Sequence, residues 1–224
     1  MSSHHIVREK QEPALIIANG EACSDELLGQ LLEWSPFVLV LDEAIERVLS
    51  RGIKIDVLFG DFDHLDTNFE ELRSSQFPME IIHAPDQEKT DLEKAIEFLI
   101  GRDFPAANIV WGTGKRADHT MVNIANLPKY SARIKLKMLD DYSCIFPILP
   151  LPNVFKKWYK KDTIVSLMPI GESTGIVTHN LKYPLHSETL KLGHRNGSSN
   201  QVVEDGEVHI SYQTGDMLIM ECKD

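Results

Sequence analysis

The chain has 224 residues, of which 42% are hydrophobic and 25% charged, with a formal net charge of −11. That is a globular composition, long enough to bury a sizeable core in one large domain or two small ones. No long basic block is present, which argues against nucleic acid as a partner, because phosphate backbones need a cationic surface. No apolar run approaches the roughly 20 residues that span a membrane, and the polar first 13 residues, including His4-His5, carry no secretory signal. Cys23, Cys144 and Cys222 form no C-x-x-C pair, so three reduced thiols and a cytoplasmic location are expected.

Residues 15–18 form a short apolar run ending at Asn19-Gly20, hence a strand and a turn. Leu27, Leu28, Leu31 and Leu32 recur at helical spacing, with Ser24 or Asp25 as cap and Pro36 as stop. A second strand is expected at 37–41, ending at Asp42, and a second helical face at Ala44, Ile45, Val48 and Leu49, stopped by Gly52. Residues 56–59 read as a third strand, leading into Gly60-Asp61-Phe62-Asp63, and 79–83 as a fourth. Leu92, Ala95, Ile96, Leu99 and Ile100 give an amphipathic helix, opened by a Thr90–Glu93 capping box. A fifth strand at 109–111 runs into the glycine turn of Gly112, Thr113, Gly114, Lys115 and Arg116, and a short helix is expected at 118–126. Ile134, Leu136 and Met138 alternate with cations as a half-exposed strand.

Strands alternating with helices predict a parallel sheet covered on both faces. After Asp140-Asp141 the helical faces stop. Short β-type runs follow at 163–167, 175–178, 202–203, 208–212 and 217–220, with hairpin character at Asp205-Gly206. The expected architecture is therefore a parallel-sheet α/β domain over residues 1–141 and a small antiparallel β-sandwich or β-barrel over 142–224.

Ligands of open α/β sheets bind outside the carboxyl ends of the strands. That rule gathers Asp42, then Asp61 and Asp63, then Asp86, Gln87 and Asp91, then Gly112, Gly114, Lys115, Arg116, Asp118 and His119 on one edge. If the 60–63 segment is extended, Asp61 and Asp63 point the same way and suit a hard cation, Mg²⁺ above all. Each group also has a plainer reading: a solvated turn, a helix-start carboxylate favoured by the dipole, a satisfied histidine. Together, carboxylates for Mg²⁺ with an arginine and backbone N–H groups for phosphate oxygens make a phosphoryl-transfer site. No Walker-type phosphate loop occurs.

The ordered motifs Gly60-Asp61-Phe62-Asp63, then Asp86-Gln87 with Thr90-Asp91 and Glu93-Lys94-Ala95, then Gly112 with Lys115-Arg116, Asp118-His119 and Asn123, resemble the thiamin pyrophosphokinase family. Ser166-Leu167 with Pro169, Gly175 with Thr178, the run from Asn180 to Leu185, and Ser199-Asn200 resemble its second domain. The resemblance runs from about residue 42 to 200. It implies an α/β nucleotide-binding domain followed by a β-sandwich domain, and transfer of the pyrophosphoryl group of ATP to thiamin, with Mg²⁺, in a homodimer whose site lies between subunits. It implies Asp61, Asp63 and Asp91 as metal and phosphate ligands, with Arg116 and Asp118 also catalytic. Asp42, Gln87, Lys94, Gly112, Gly114, Arg116 and His119 are implied as nucleotide contacts, and Ser199 and Asn200 as thiamin contacts. Trp158 and Tyr159 are candidates to stack on thiamin.

Three positions depart from the family pattern. Glu43-Ala44 follows Asp42 where Gly-Gly is usual. Lys115 replaces a glycine before the arginine, and Asn180 replaces another. A pterin-type acceptor alcohol and a non-catalytic nucleotide or thiamin sensor therefore stand as alternatives. So does a haloacid-dehalogenase-like phosphatase with Asp61 as nucleophile, although Leu65 stands where such enzymes place Thr or Val.

Overall fold

The computed structural model describes residues 12–63 and 68–223; His4, His5 and Leu65 lie outside them. Six parallel strands come first: β1 (Ala14–Ile17), β2 (Val38–Leu41), β3 (Val57–Gly60), β4 (Glu80–His83), β5 (Ala106–Val110) and β6 (Lys135–Leu139). Their spatial order is β4-β3-β2-β1-β5-β6. The chain thus builds outward from β1 to one side and then returns to build β5 and β6 on the other.

Alternation along the strands creates two cores. Ala14, Ile16, Leu39, Leu41, Val57 and Phe59 face helices α4 (Asp91–Gly101) and α5 (Ala117–Tyr130), which contribute Leu92, Ala95, Ile96, Leu99 and Leu127. Leu15, Ile17, Val38, Val40 and Leu58 face α1 (Asp25–Leu32), α2 (Ile45–Leu49) and α3 (Phe69–Ser75). Central strands buried on both faces need apolar residues at every position, which is why β1 to β3 read as unbroken apolar runs. The expected capping box is formed, with Thr90 Oγ1 accepting from the Glu93 N–H and the Glu93 carboxylate accepting from the Thr90 N–H, each at 3.3 Å. The helix α3 was not anticipated, since its seven residues bury only Leu72.

The second half is antiparallel, with no helix among the described residues. It comprises β7 (Ser143–Pro147), β8 (Val154–Tyr159), β9 (Ile164–His179), β10 (His186–Lys191), β11 (Gly197–Gln201), β12 (Gly206–Ser211) and β13 (Thr214–Cys222). Hydrogen bonding runs without a break from β6 to β7, β13 and β9, so the two halves share one sheet path. A third core, with Val165, Leu167, Ile176, Val208, Ile210, Met217 and Ile219, fills this half.

Two expectations are corrected. The runs at 163–167 and 175–178 belong to one strand, β9; a register shift against β13 between Thr214 and Asp216 lets it bend without ending. Asp205-Gly206 does not close a hairpin, because β12 pairs with β8 and β9 while β11 pairs with β9. Asp205 Oδ1 instead accepts from the Lys161 N–H at 2.7 Å. Consecutive strands do form hairpins at β6–β7, around Asp140 and Asp141, and at β9–β10. No helix among the described residues is long and apolar enough to cross a membrane.

Candidate active site

A cleft of about 500 Å³ opens at the carboxyl ends of the parallel strands. Its deepest anchor is Asp42, in the 3-10 turn after β2 and only 5% exposed. A buried carboxylate needs N–H donors. Asp42 Oδ1 accepts from the Glu43 N–H at 2.8 Å and Oδ2 from the Phe62 N–H at 3.0 Å. A Cβ on residue 60 would overlap the Asp42 carboxyl, so the last residue of β3 must be glycine. Burial pushes the Asp42 carboxyl above its ordinary value; Asp91 and Asp61 nearby add to the rise, and the two N–H bonds oppose it.

The 60–63 segment is not extended. Phe62 sits at φ +61, with its ring against Phe69 and His83. That left-handed residue breaks the two-residue alternation, so Asp61 and Asp63 do not share a direction by strand geometry. Asp61 Oδ1 accepts from the Asp63 N–H at 3.2 Å, and Asp61 Oδ2 from Gln87 Nε2 at 3.0 Å. Gln87 and Asp91 line the cleft beside Asp42. Asp86 turns to its own loop, its Oδ1 accepting from the Glu88 N–H at 2.9 Å. Lys94, 8% exposed, lies beneath that loop, its ammonium 2.7 Å from Asp91 Oδ1 and donating to the carbonyls of Ala84 and Asp86 at 2.7 and 3.0 Å. Lys94 therefore fixes the β4–α4 loop and the Asp91 carboxylate together.

The opposite wall comes from the loops after β1 and β5. Gly112, Gly114, Lys115, Arg116, His119 and Asn123 line it, as do Asn19 and Gly20. The Gly20 and Glu21 N–H groups donate to the carbonyls of Trp111 (2.5 Å) and Thr113 (2.7 Å), and a Cβ at residue 20 would overlap both carbonyls. Arg47 donates to Asn19 Oδ1 at 2.8 Å and to the Gly20 carbonyl at 3.1 Å, its guanidinium 4.4 Å from the centre of the Trp111 ring. Asn123 Nδ2 donates to the Gly112 carbonyl at 2.9 Å, tying α5 to the same turn. Arg116 and Asp118 pair through two bonds of 3.1 and 2.5 Å, both side chains well exposed. The guanidinium, helped by the His119 N–H, holds the Asp118 carboxyl at about 2. From the sequence Asn19 and Gly20 read only as a turn and Glu43 only as a departure from the family pattern, and Arg47 was not singled out. The strand-end rule reaches Asn19 and Gly20 once β1 is known to neighbour β5.

Ser199 and Asn200 lie elsewhere, on β11. Ser199 has φ +54 and donates its N–H to Ser166 Oγ at 2.9 Å. Asn200, 3% exposed, accepts from the Tyr183 N–H at 3.0 Å and donates to the Tyr183 carbonyl at 2.8 Å, so its amide clasps that segment. It lines a separate cavity of about 190 Å³ with Tyr183, Leu185 and Asn196. Tyr159 is buried with its hydroxyl on Glu221, whereas Trp158 is exposed on β8.

Among the described residues no three carboxylates, imidazoles or thiols are placed together so as to hold a metal ion. Mg²⁺ does not require such a cluster, since it is commonly held by one or two carboxylates plus substrate phosphates and water. The oxygen-only donors at the Asp42, Asp61 and Asp91 end fit that mode, and the like-charge pressure on Asp42 is what a cation there would relieve.

The fold and cleft define a class: a parallel α/β unit with a carboxylate-and-arginine cleft at its strand ends, continued in one sheet into an antiparallel unit. Residues 28–138 match the family model "Thiamin pyrophosphokinase, catalytic domain" and residues 153–216 match "Thiamin pyrophosphokinase, vitamin B1 binding domain". The chain belongs to the thiamin pyrophosphokinase family. It is 26% identical over 186 residues to thiamine pyrophosphokinase of Bacillus subtilis, covering 82% of this chain and 86% of that one. It is 27% identical over 200 residues to thiamine pyrophosphokinase 1 of Oryza sativa, covering 84% and 74%. The same fold is seen in the crystal structures of the Bacillus subtilis enzyme (TM-score 0.78, 23% identity, 95% and 100% covered) and of yeast thiamin pyrophosphokinase (0.79, 18%, 96% and 88%).

The raised Asp42 carboxyl gives a pH signature. A group that binds its proton more tightly when folded stabilises fully below its unfolded value, and that contribution is lost as pH rises through the folded value. The stability of the wild type relative to Asp42→Asn is expected to fall as pH rises from the ordinary carboxylate value of 3.8. Urea unfolding across pH 4–7, a window of about three units chosen to span a typical burial shift, checks this; a difference that is flat or grows with pH contradicts the burial.

Proposed function

We propose that this protein transfers the terminal pyrophosphoryl group of ATP to the hydroxyethyl oxygen of thiamin, giving thiamin diphosphate and AMP. The observation that carries the reading is the cleft itself. Asp42, Gln87 and Asp91 line one side, and Lys115, Arg116 and His119 the other, in a chain that matches both domain models of the family in order. In this reading Asp61 and Asp91, with Asp63 in the same turn as Asp61, would hold Mg²⁺, which would neutralise phosphate charge and orient the polyphosphate. Gln87 fixes Asp61. Arg116 exchanges the Asp118 carboxylate for phosphate oxygens, one anion for another, with the fork geometry that suits either. A carboxylate beside the alcohol, Asp91 or Asp118, accepts its proton. Positioning and charge complementarity do the remaining work.

The reading extends to organisation. Residues 1–141 act as the nucleotide domain and 142–224 as a β-sandwich domain that presents Ser199, the Asn200-clasped segment and Trp158 to thiamin. Within one chain the Asp91 cleft and the Asn200 cavity are separate. A two-fold dimer that faces one chain's cleft with the partner's β-domain brings the two together. The protein acts in the cytoplasm.

Incubation with ATP, Mg²⁺ and thiamin, followed by nucleotide separation, tests the activity. AMP with thiamin diphosphate is expected, and ADP with thiamin monophosphate would refute it. Asp61→Asn is expected to lower turnover by roughly 100-fold with the fold intact, the scale of losing one electrostatic group in an active site; near-normal turnover removes Asp61 from the site. The shared site is tested by mixing inactive Asp61→Asn with inactive, folded Asn200→Ala. Subunit exchange restores up to about a quarter of wild-type activity, because half the chains enter mixed dimers and half of those sites are intact. A verified exchange that stays inactive refutes the shared site.

A further inference from the structure

The edge of the sheet carries a polar group that phosphate chemistry does not use. Strand order places the ends of β2, β1 and β5 side by side. On that line stand Glu43, Asn19, and then Lys115 and Arg116, all lining the cleft. Asp42 and Glu43 are neighbours in sequence but diverge. Asp42 turns inward to the Phe62 N–H and the space left by Gly60, whereas the Glu43 carboxylate turns toward β1 and accepts from Asn19 Nδ2. Asn19 is in turn fixed through Oδ1, which accepts from Arg47 Nη2 at 2.8 Å and from Lys115 Nζ at 3.3 Å. The Glu43 side chain is thus held by one oxygen, Oε2, on a braced amide. Its other oxygen makes no hydrogen bond among the described residues and belongs to a side chain that lines the cleft.

Glu43 is turned away from the proposed Mg²⁺ end of the cleft, and a carboxylate with no metal on it repels polyphosphate, so it marks a part of the cleft where phosphates do not lie. It also lies near Arg116, since the Glu43 charge helps the guanidinium keep its proton. The ligand portion it faces must therefore be uncharged, rich in hydroxyl donors, and close to the phosphates. The ribose of a nucleotide has that chemistry, and carboxylates at strand ends of α/β folds take ribose hydroxyls in the same way. We propose that Glu43, oriented by Asn19, binds the ribose hydroxyls of the nucleotide substrate and makes this site selective for ribonucleotides over deoxyribonucleotides. The assignment rests on the reading of the cleft as a nucleotide site.

Equilibrium binding of ATP, 2′-deoxy-ATP and 3′-deoxy-ATP with Mg²⁺, in the absence of thiamin, tests it without turnover. Wild type is expected to bind ATP roughly 10-fold or more tighter than at least one deoxy analogue, the scale of a hydrogen bond to a charged group. Glu43→Ala is expected to bring ATP down to the affinity of that analogue while leaving the analogue's own affinity within about threefold, the limit at which the lost hydrogen bond is the whole effect. Glu43→Gln, which keeps an acceptor for Asn19, is expected to lie between. Equal binding of all three nucleotides by wild type overturns the proposal. So does an equal loss for ATP and both analogues in Glu43→Ala, which marks Glu43 as a general brace of the wall. So does unchanged binding of all three nucleotides in Glu43→Ala when a separate thiamin titration shows weakened binding, which marks the carboxylate as a counter-ion for its thiazolium. The two readings fail separately. ATP bound without ribose selectivity removes the Glu43 role and leaves the transferase reading standing. Ribose selectivity without AMP release removes the transferase reading and leaves the subsite.

Discussion

The site depends on one buried carboxylate. Asp42 is too deep for water to solvate it fully, so the protein must supply donors, and the nearest come from the backbone of residues 43 and 62. Meeting that demand forces two features of the 60–63 turn. Residue 60 must lack a side chain, and Phe62 must adopt a left-handed backbone that aims its N–H at Asp42. The same turn sends Asp61 toward Gln87 and Phe62 down onto Phe69 and His83. Ligand chemistry and core packing are therefore set by the same few dihedral angles.

A second constraint holds the opposite wall. The β1 loop lies directly on the β5 loop, backbone to backbone, and leaves no room for a side chain at Gly20. Arg47 spans both by bonding Asn19 and Gly20 while its guanidinium covers Trp111. Burial lowers its proton affinity, and Arg51, also over that ring, adds to the effect. The cleft thus has one wall built around a buried anion and one braced by a partly buried cation. Arg116, which lines the cleft, pairs with Asp118 on its solvent-exposed side.

The parallel half was legible because its strands are buried on both faces and its helices carry long apolar stripes. Leu92, Ala95, Ile96 and Leu99 fall at helical spacing and are all buried. The antiparallel half was legible only in outline. β8 exposes half of its residues and β10 most of them, and both alternate poorly, so neither was anticipated. In β9, Pro169, Gly171 and Gly175 imitate loop punctuation inside a continuous strand. In the site, the strand-end rule found the loops but not their connections. Asn19 and Arg47 are separated by 28 positions in sequence and meet only because β1 neighbours β2, and Lys94 reads as a ligand contact until its ammonium is seen under the loop. The extended reading of Asp61 and Asp63 failed at Phe62, whose left-handed backbone is rare for an aromatic residue and is imposed by Asp42 from another strand.

The central claim is that the cleft between these two walls holds the polyphosphate of ATP. A crystal structure with Mg²⁺ and α,β-methylene-ATP, whose α–β bridge resists cleavage, addresses it directly. The triphosphate is expected between the Arg116 guanidinium and the carboxylates of Asp42, Asp61 and Asp91, with the Arg116–Asp118 pair opened. A triphosphate bound elsewhere, beside Tyr183 and Asn200 for example, with the Arg116–Asp118 pair intact, would contradict it.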